Sequence, residues 1–160
     1  MLKIKKLISR DFVNCYNLLK TNQIEYEYFN NLGWTIKEFE NQFLKKIFYG
    51  QGLYIDKKLT GFVFGDLISI KNIIDYEILL IYISKENRNL GYATTLFKSI
   101  QFTLKKYKLN KIYLEVAANN AEAINFYIKN GYKKTGTRKE YYSIQNNKVD
   151  SYLFEKGMNE

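Results

Sequence analysis

The chain has 160 residues, 46% hydrophobic and 26% charged, which is the size of one folded domain built on one core. It carries a net charge of +9 and holds no histidine, no proline and a single cysteine. These absences exclude Ser-His-Asp and Cys-His nucleophilic machinery, histidine-ligated or four-sulfur zinc and an intrachain disulfide framework, so no metal site is expected.

A lone thiol fits a reducing cytosol, and the protein is expected to be cytoplasmic. Of the 25 cations, 22 are lysine and three are arginine: Arg10, Arg88 and Arg138. Arginine dominates bidentate recognition of bases and phosphates, so its scarcity argues against a sequence-specific DNA partner. The positive field still suits acidic partners such as a polyphosphorylated cofactor or the ribosome surface.

Residues 1–8 alternate apolar and basic side chains, a strand pattern and not a secretory apolar region. The longest apolar runs, such as residues 78–83, fall far short of the roughly 20 residues that span a bilayer, so no membrane partner is expected. A helix follows with Phe12, Cys15, Tyr16 and Leu19 at helical spacing, capped by Ser9 or Asp11, and Cys15 on its apolar stripe reads as a small core residue. A second helix is predicted over 35–48, where Thr35 and Glu38 form a capping box. Strands over 52–55 and 59–64 flank a turn at 56–58, and a longer, more continuously apolar strand runs over 73–84.

The next segment, Arg88-Asn89-Leu90-Gly91-Tyr92-Ala93, feeds a helix over 91–107 whose stripe is Ala93, Leu96, Phe97, Ile100 and Leu104. A buried strand over 111–116 and a helix over 121–129 follow, the latter closed by Asn130-Gly131. Strands over 132–137 and 150–155 finish the chain. The order is mixed α/β, and residues 1–160 read as one three-layer domain.

A strand, then R-x-x-G-x-A, then a helix is a geometry that holds phosphate. Glycine lets the backbone approach the ligand, and the free N–H groups of the first helical turn point at the anion. The same spacing also serves an ordinary strand-to-helix turn. Further along, Leu114-Glu115-Val116, Asn120, Ala123, Phe126-Tyr127 and Gly131-Tyr132 recur as L-E-V-x(3)-N-x-x-A-x-x-[LF]-Y-x(3)-G-[FY].

With R-x-x-G-x-A upstream, this pattern resembles the GNAT superfamily of acetyl-coenzyme A-dependent N-acetyltransferases. Gly33-Trp34-Thr35 with Phe39, the run 136–142 and the final 150–154 are similar to the bacterial ribosomal-protein N-terminal alanine acetyltransferases. Three departures stand out. Ala93 replaces the loop's second glycine, Lys85 and Asn87 replace the usual proline and aromatic residue before it, and Ala117 stands where the nearest relatives carry arginine after L-E-V.

The resemblance implies a three-layer α/β/α domain with a mixed, mostly antiparallel sheet splayed at an acetyl-CoA site. It implies acetyl transfer to an amine by direct attack in a ternary complex, the acceptor being the N-terminal α-amine of a protein, a ribosomal protein among them, and the enzyme a monomer or homodimer. Arg88, Asn89, Leu90, Gly91, Tyr92, Ala93 and Thr94 would hold the coenzyme A pyrophosphate, and the backbone of Ile81 and Ile83 the pantetheine arm. Asn120 would cap its helix and contact the cofactor, with Asn119 and Glu122 an equal alternative as capping pair.

An α-amine has a pKa of about 7.7–8.0, so a carboxylate acting through water suffices to deprotonate it. Glu115, in the middle of an apolar strand, is the candidate base; the alternative is a solvent-facing strand position. Tyr127 is the candidate general acid for the departing thiolate, and also a type of residue that helices commonly bury against sheets. Trp34, Tyr141 and Tyr142 either line the acceptor side or pack in the core. Two other readings are open: a GNAT enzyme for a small amine (a polyamine, an aminoglycoside or an amino acid), and a non-catalytic basic module that binds RNA or the ribosome.

Overall fold

The computed structural model describes residues 1–159 and runs β1 (Leu2–Lys6), α1 (Phe12–Lys20), α2 (Gln23–Asn31), α3 (Ile36–Phe43), β2 (Phe48–Ile55), β3 (Lys58–Ile70), β4 (Ile73–Ile83), α4 (Tyr92–Lys105), β5 (Leu109–Ala117), α5 (Ala121–Lys129), β6 (Lys133–Ile144) and β7 (Asn147–Gly157). The strands form one sheet in the order β1-β2-β3-β4-β5-β7-β6. Neighbours are antiparallel except β4 and β5, which are joined by α4 as a crossover. Three hairpins turn on residue pairs with positive φ, Asp56–Lys57, Lys71–Asn72 and Gln145–Asn146, the backbone of tight two-residue connections.

Burial divides the core in two. Leu96, Phe97, Ile100 and Leu104 of α4 pack with Ile112, Leu114 and Val116 of β5, Tyr127 of α5 and Phe154 of β7 on one face of the sheet. On the other, Cys15, Tyr16 and Leu19 of α1 and Phe39 and Phe43 of α3 pack on Phe62, Phe64, Leu80 and Tyr82. Helices on both faces make the expected three layers. Cys15 is the small core residue anticipated, and burial pushes its thiol well above the ordinary range.

Several boundaries differ from expectation. The predicted helix 35–48 stops at Phe43, because Phe48 already pairs with Asp66 as the first residue of β2. Half of the expected capping box forms: the Thr35 hydroxyl accepts the Glu38 N–H at 3.3 Å, while the Thr35 N–H donates to the Gly33 carbonyl at 2.9 Å and not to the Glu38 side chain. Strand β3 continues past residue 64 to Ile70, and β6 and β7 are longer than predicted because they pair with each other up to the turn. Helix α2 was not anticipated. It has no buried residue, so it lacks the apolar stripe that periodicity detects.

The feature that shapes the middle of the sheet is a register shift between β3 and β4. Phe64 faces Leu80 and Gly65 faces Ile78, so Leu79 is an extra residue on β4, a β-bulge. Parallel pairing of β4 with β5 ends at Ile78↔Leu114. Beyond it, the remainder of β4 and the 115–117 end of β5 separate, leaving backbone edges that do not pair with one another.

Gly65 makes the bulge possible, since a Cβ there would collide with the carbonyl of Glu77 on the facing strand. Gly65→Ala is therefore expected to cost about 3 kcal/mol of stability, because only backbone movement relieves the clash. Urea denaturation checks this, and an unchanged midpoint would show that the bulge tolerates a side chain.

Candidate active site

The separated ends of β4 and β5 open into a cleft of about 900 Å³, walled by α2, the loop before α4, the first turn of α4, α5 and the β6–β7 turn. Gly91 is the N-cap of α4 and adopts φ 84°, and Asn89 two residues before it is also left-handed at φ 62°. Thr95 donates to the Gly91 carbonyl at 3.0 Å as the first intrahelical bond, which leaves the N–H groups of Tyr92, Ala93 and Thr94 without helical acceptors. Asn89, Gly91, Tyr92, Ala93 and Thr94 all line the cleft. Leu90 does not: its side chain is 61% exposed and turned to solvent, so only its backbone belongs to the loop.

A Cβ at Gly91 would meet no atom within 4 Å. Open space beside free helix-start amides, on a cleft with unpaired strand edges, fits an elongated ligand with a phosphorylated end. Gly91→Val places a β-branched residue in the left-handed region, a cost of roughly 1–2 kcal/mol, and fills that space. It is expected to weaken acetyl-CoA binding at least tenfold by calorimetry; unchanged affinity would remove the loop from the site.

Ile81 and Ile83 line the cleft at the free end of β4. Arg88 is turned across the loop. Its Nε donates to the Ile83 carbonyl at 2.8 Å, and its two terminal nitrogens engage Glu25 of α2 at 2.6 and 2.9 Å. The two capping alternatives for α5 resolve to Asn120, whose Oδ1 accepts the Ala123 N–H at 3.1 Å while the residue also lines the cleft.

Tyr127 lines the cleft from α5 and is 8% exposed. Its ring lies among Phe97, Tyr132 and Phe154 at centroid distances of 6.0, 6.0 and 6.1 Å. Burial, then the nearby Tyr142, holds its phenol far above the ordinary value, so it stays protonated across the working pH range. Glu115 is the first residue of β5 beyond the last parallel pair. Because Leu114 and Val116 point into the α4–α5 core, Glu115 points to the opposite face. There it accepts from the Ser151 hydroxyl at 2.8 Å and pairs with Arg138 at 3.2 Å. It lies outside the cleft wall itself.

The same face gathers carboxylates that are far apart in the chain. Asp66 faces Glu77 across β3 and β4, and Glu77 faces Tyr113, two residues before Glu115. Asp66 is held by Gln42 at 2.6 Å and Lys45 at 3.3 Å. Burial first, then the charges of Asp66 and Glu115, push the Glu77 carboxyl above its usual range.

The predicted acceptor aromatics separate. Trp34 packs against Phe39 and Phe64 at 5.7 and 5.4 Å beside the α1–α3 core and is not part of the cleft wall. Tyr141 is 56% exposed beside Arg138. Tyr142 is half-buried, with burial and then Glu115 raising its phenol. Neither forms the cleft wall, which is supplied instead by their neighbours Ser143, Ile144 and Gln145. Sequence reading missed Glu25, Tyr28 and Phe29, which α2 brings to the wall. The available signal was the Asn22-x-x-Glu25 pattern: the Asn22 side chain caps α2 by accepting the Glu25 N–H at 3.1 Å.

The profile of the Acetyltransferase (GNAT) family matches residues 7–132. An N-alpha-acetyltransferase of Sulfurisphaera tokodaii is 27% identical over 108 residues, a match that covers 62% of this chain and 63% of that protein, so just under two thirds of the relative is spanned. The crystal structure of the ribosomal-protein-S18-alanine N-acetyltransferase from Escherichia coli superposes with a TM-score of 0.83 at 19% identity, over 99% of this chain and 94% of that one. Arabidopsis thaliana NAA60 in complex with acetyl-CoA superposes with a TM-score of 0.78 at 18% identity, over 100% of both chains. At these identities the structural matches speak for the fold.

Proposed function

The chain belongs to the GNAT acetyltransferase family, and on that premise we propose that it transfers an acetyl group from acetyl-CoA to an amine, the acceptor being the N-terminal α-amine of a protein. The observation that carries this reading is the placement of Tyr127 and Glu115 on opposite faces of the gap where β4 and β5 part. Bound acetyl-CoA supplies the activated acetyl thioester. The free amides of Tyr92, Ala93 and Thr94, with the space at Gly91, bind its phosphorylated end, and the unpaired edge of β4 orients the arm.

On the acceptor face the carboxylate row of Asp66, Glu77 and Glu115 attracts an ammonium group. Glu115 accepts the proton through water as the nitrogen bonds to the acetyl carbon, and the Tyr127 hydroxyl protonates the departing sulfur. A thiol pKa near 8.5 makes that sulfur a fair leaving group. No histidine is needed.

A protein N-terminus is favoured over a small amine because the curated relative is an N-alpha-acetyltransferase, and a neighbour in fold acts on a ribosomal protein. The basic surface suits a ribosomal protein presented near RNA. We place this activity in the cytoplasm. Among the described residues no helix is long and apolar enough to cross a membrane.

The test is thiol release from acetyl-CoA with a panel of acceptors. Peptides beginning with Ala, Ser or Met are expected to turn over. Inert peptides with reactive polyamines, aminoglycosides or amino acids would move the assignment to a small-amine enzyme. No turnover with salt-sensitive RNA binding would replace it with a non-catalytic module.

A further inference from the structure

The ion pair between α2 and the loop before α4 has no part in the chemistry above. Arg88 Nη1 donates to Glu25 Oε2 at 2.6 Å and Nη2 to Oε1 at 2.9 Å, a bidentate fork, while Nε is held by the Ile83 carbonyl at 2.8 Å. The guanidinium lies 5.3 Å over the Tyr82 ring, and the Tyr82 hydroxyl donates to Glu25 Oε1 at 2.8 Å. Both side chains are largely covered, at 32% and 23% exposure, so solvent screens the pair less than a surface bridge.

Helix α2 buries no residue of its own. Besides this pair it is held by Tyr26 and Asn30 against the Tyr16 hydroxyl, at 3.2 and 3.4 Å, and by the Phe29 ring edge on Tyr82. Tyr26 and Phe29 also pack, partly buried, against the α1–α3 core, so one side of the helix rests on that core while the other forms one wall of the cleft. The other end of the fork is rooted in the segment that starts α4.

We infer that Glu25 and Arg88 are a positioning pair, locking the acceptor wall on α2 to the cofactor loop, with Arg88 acting through Glu25 and not as a phosphate ligand. This rests on the acetyl-transfer reading of the cleft. The fork of Arg88 is committed on both sides, to a carboxylate and to a backbone carbonyl, and the loop already offers backbone N–H groups to an anion. A lysine in its place keeps the charge and loses the fork and the stacking on Tyr82.

The test compares wild type with Glu25→Gln, Arg88→Lys, Arg88→Gln and the double variant Glu25→Gln/Arg88→Gln. Measured are acetyl-CoA affinity by calorimetry, acceptor KM and kcat, and amide hydrogen exchange over residues 23–31 against that over α4. All four variants are expected to raise acceptor KM about tenfold, with kcat and acetyl-CoA affinity within about threefold of wild type. The double variant should be no worse than the singles, the mark of partners in one interaction. Exchange should accelerate in α2 and stay unchanged in α4.

A tenfold loss of acetyl-CoA affinity in Arg88→Gln, with α2 exchange and acceptor KM unaffected in Glu25→Gln, would overturn the inference and make Arg88 a phosphate ligand. If the wild type bound no acetyl-CoA, the acetyl-transfer reading would fail, while α2 exchange would still decide whether the pair holds the helix. Unchanged exchange in both single variants overturns it alone.

Discussion

Tyr127→Phe is expected to lower kcat about a hundredfold or more and to leave acetyl-CoA affinity within about twofold. The substitution removes one oxygen and leaves the ring in its cage of Phe97, Tyr132 and Phe154. The ring packing is kept, so the melting temperature should stay within a few degrees. A fall in turnover without a fall in stability would isolate the chemical role. The phenol lies far above neutrality, so any basic limb in the wild-type pH profile must come from another group. Tyr142, whose charge is felt at Tyr127, is the control. Tyr142→Phe should spare kcat, and an equal loss in both would mean that the acid is not Tyr127 alone. Unchanged turnover in Tyr127→Phe removes it from the acid role.

What could be read in advance was tied to short-range pattern. The stripe of α4, the Thr35 cap, the turn at Asp56–Lys57 and the placement of Asn120 at the start of α5 follow from local spacing, and each stands where spacing put it. The α1–α3 layer was half legible: Cys15 announced its burial, while Trp34 shared an aromatic pattern that serves a core and a pocket equally. What could not be read depends on long-range register. The bulge at Leu79 exists because Gly65 lies opposite it on another strand, and nothing near residue 79 encodes that pairing. Asp66, Glu77 and Glu115 lie far apart in the chain, and only the order β3-β4-β5 makes them neighbours. Helix α2 escaped for another reason: it lies between the cleft and the α1–α3 core, where Tyr26 and Phe29 pack while only partly buried, so no fully apolar stripe marks it.

That difference bears on how the site is built. The groups assigned to the cofactor lie on rigid elements, the start of α4 and the end of β4, each fixed by a buried core. The carboxylates assigned to the acceptor lie on the central strands β3, β4 and β5, but the cleft walls supplied by α2 and the β6–β7 turn bury few side chains fully. Substitutions in the first set should act on stability or cofactor affinity. Those in the cleft walls should act on acceptor KM, because loosely packed walls change shape at low cost.

Glu115→Gln is expected to lower kcat/KM between about a hundred- and a thousandfold near neutral pH. Glutamine keeps the shape and can still meet Ser151, but it cannot take a proton. The deficit should shrink as pH rises above about 8, where an α-amine loses its proton unaided. A deficit constant from pH 6 to 9.5 would point to a structural loss instead. Glu77 is the rival base, since its carboxyl is raised toward the working range and it makes no hydrogen bond among the described residues. Its stability signature distinguishes it. The native state holds the Glu77 proton more tightly than the unfolded chain does, so its contribution is most favourable below the ordinary carboxylate range and is lost as pH rises through the native value. Glu77→Gln should therefore raise the melting temperature near pH 8, the gain vanishing by about pH 4. Its effect on turnover should be no more than about fivefold, that of a neighbouring charge and not of the proton acceptor. If Glu77→Gln takes the hundredfold loss and Glu115→Gln does not, the base is Glu77, one strand nearer the bulge.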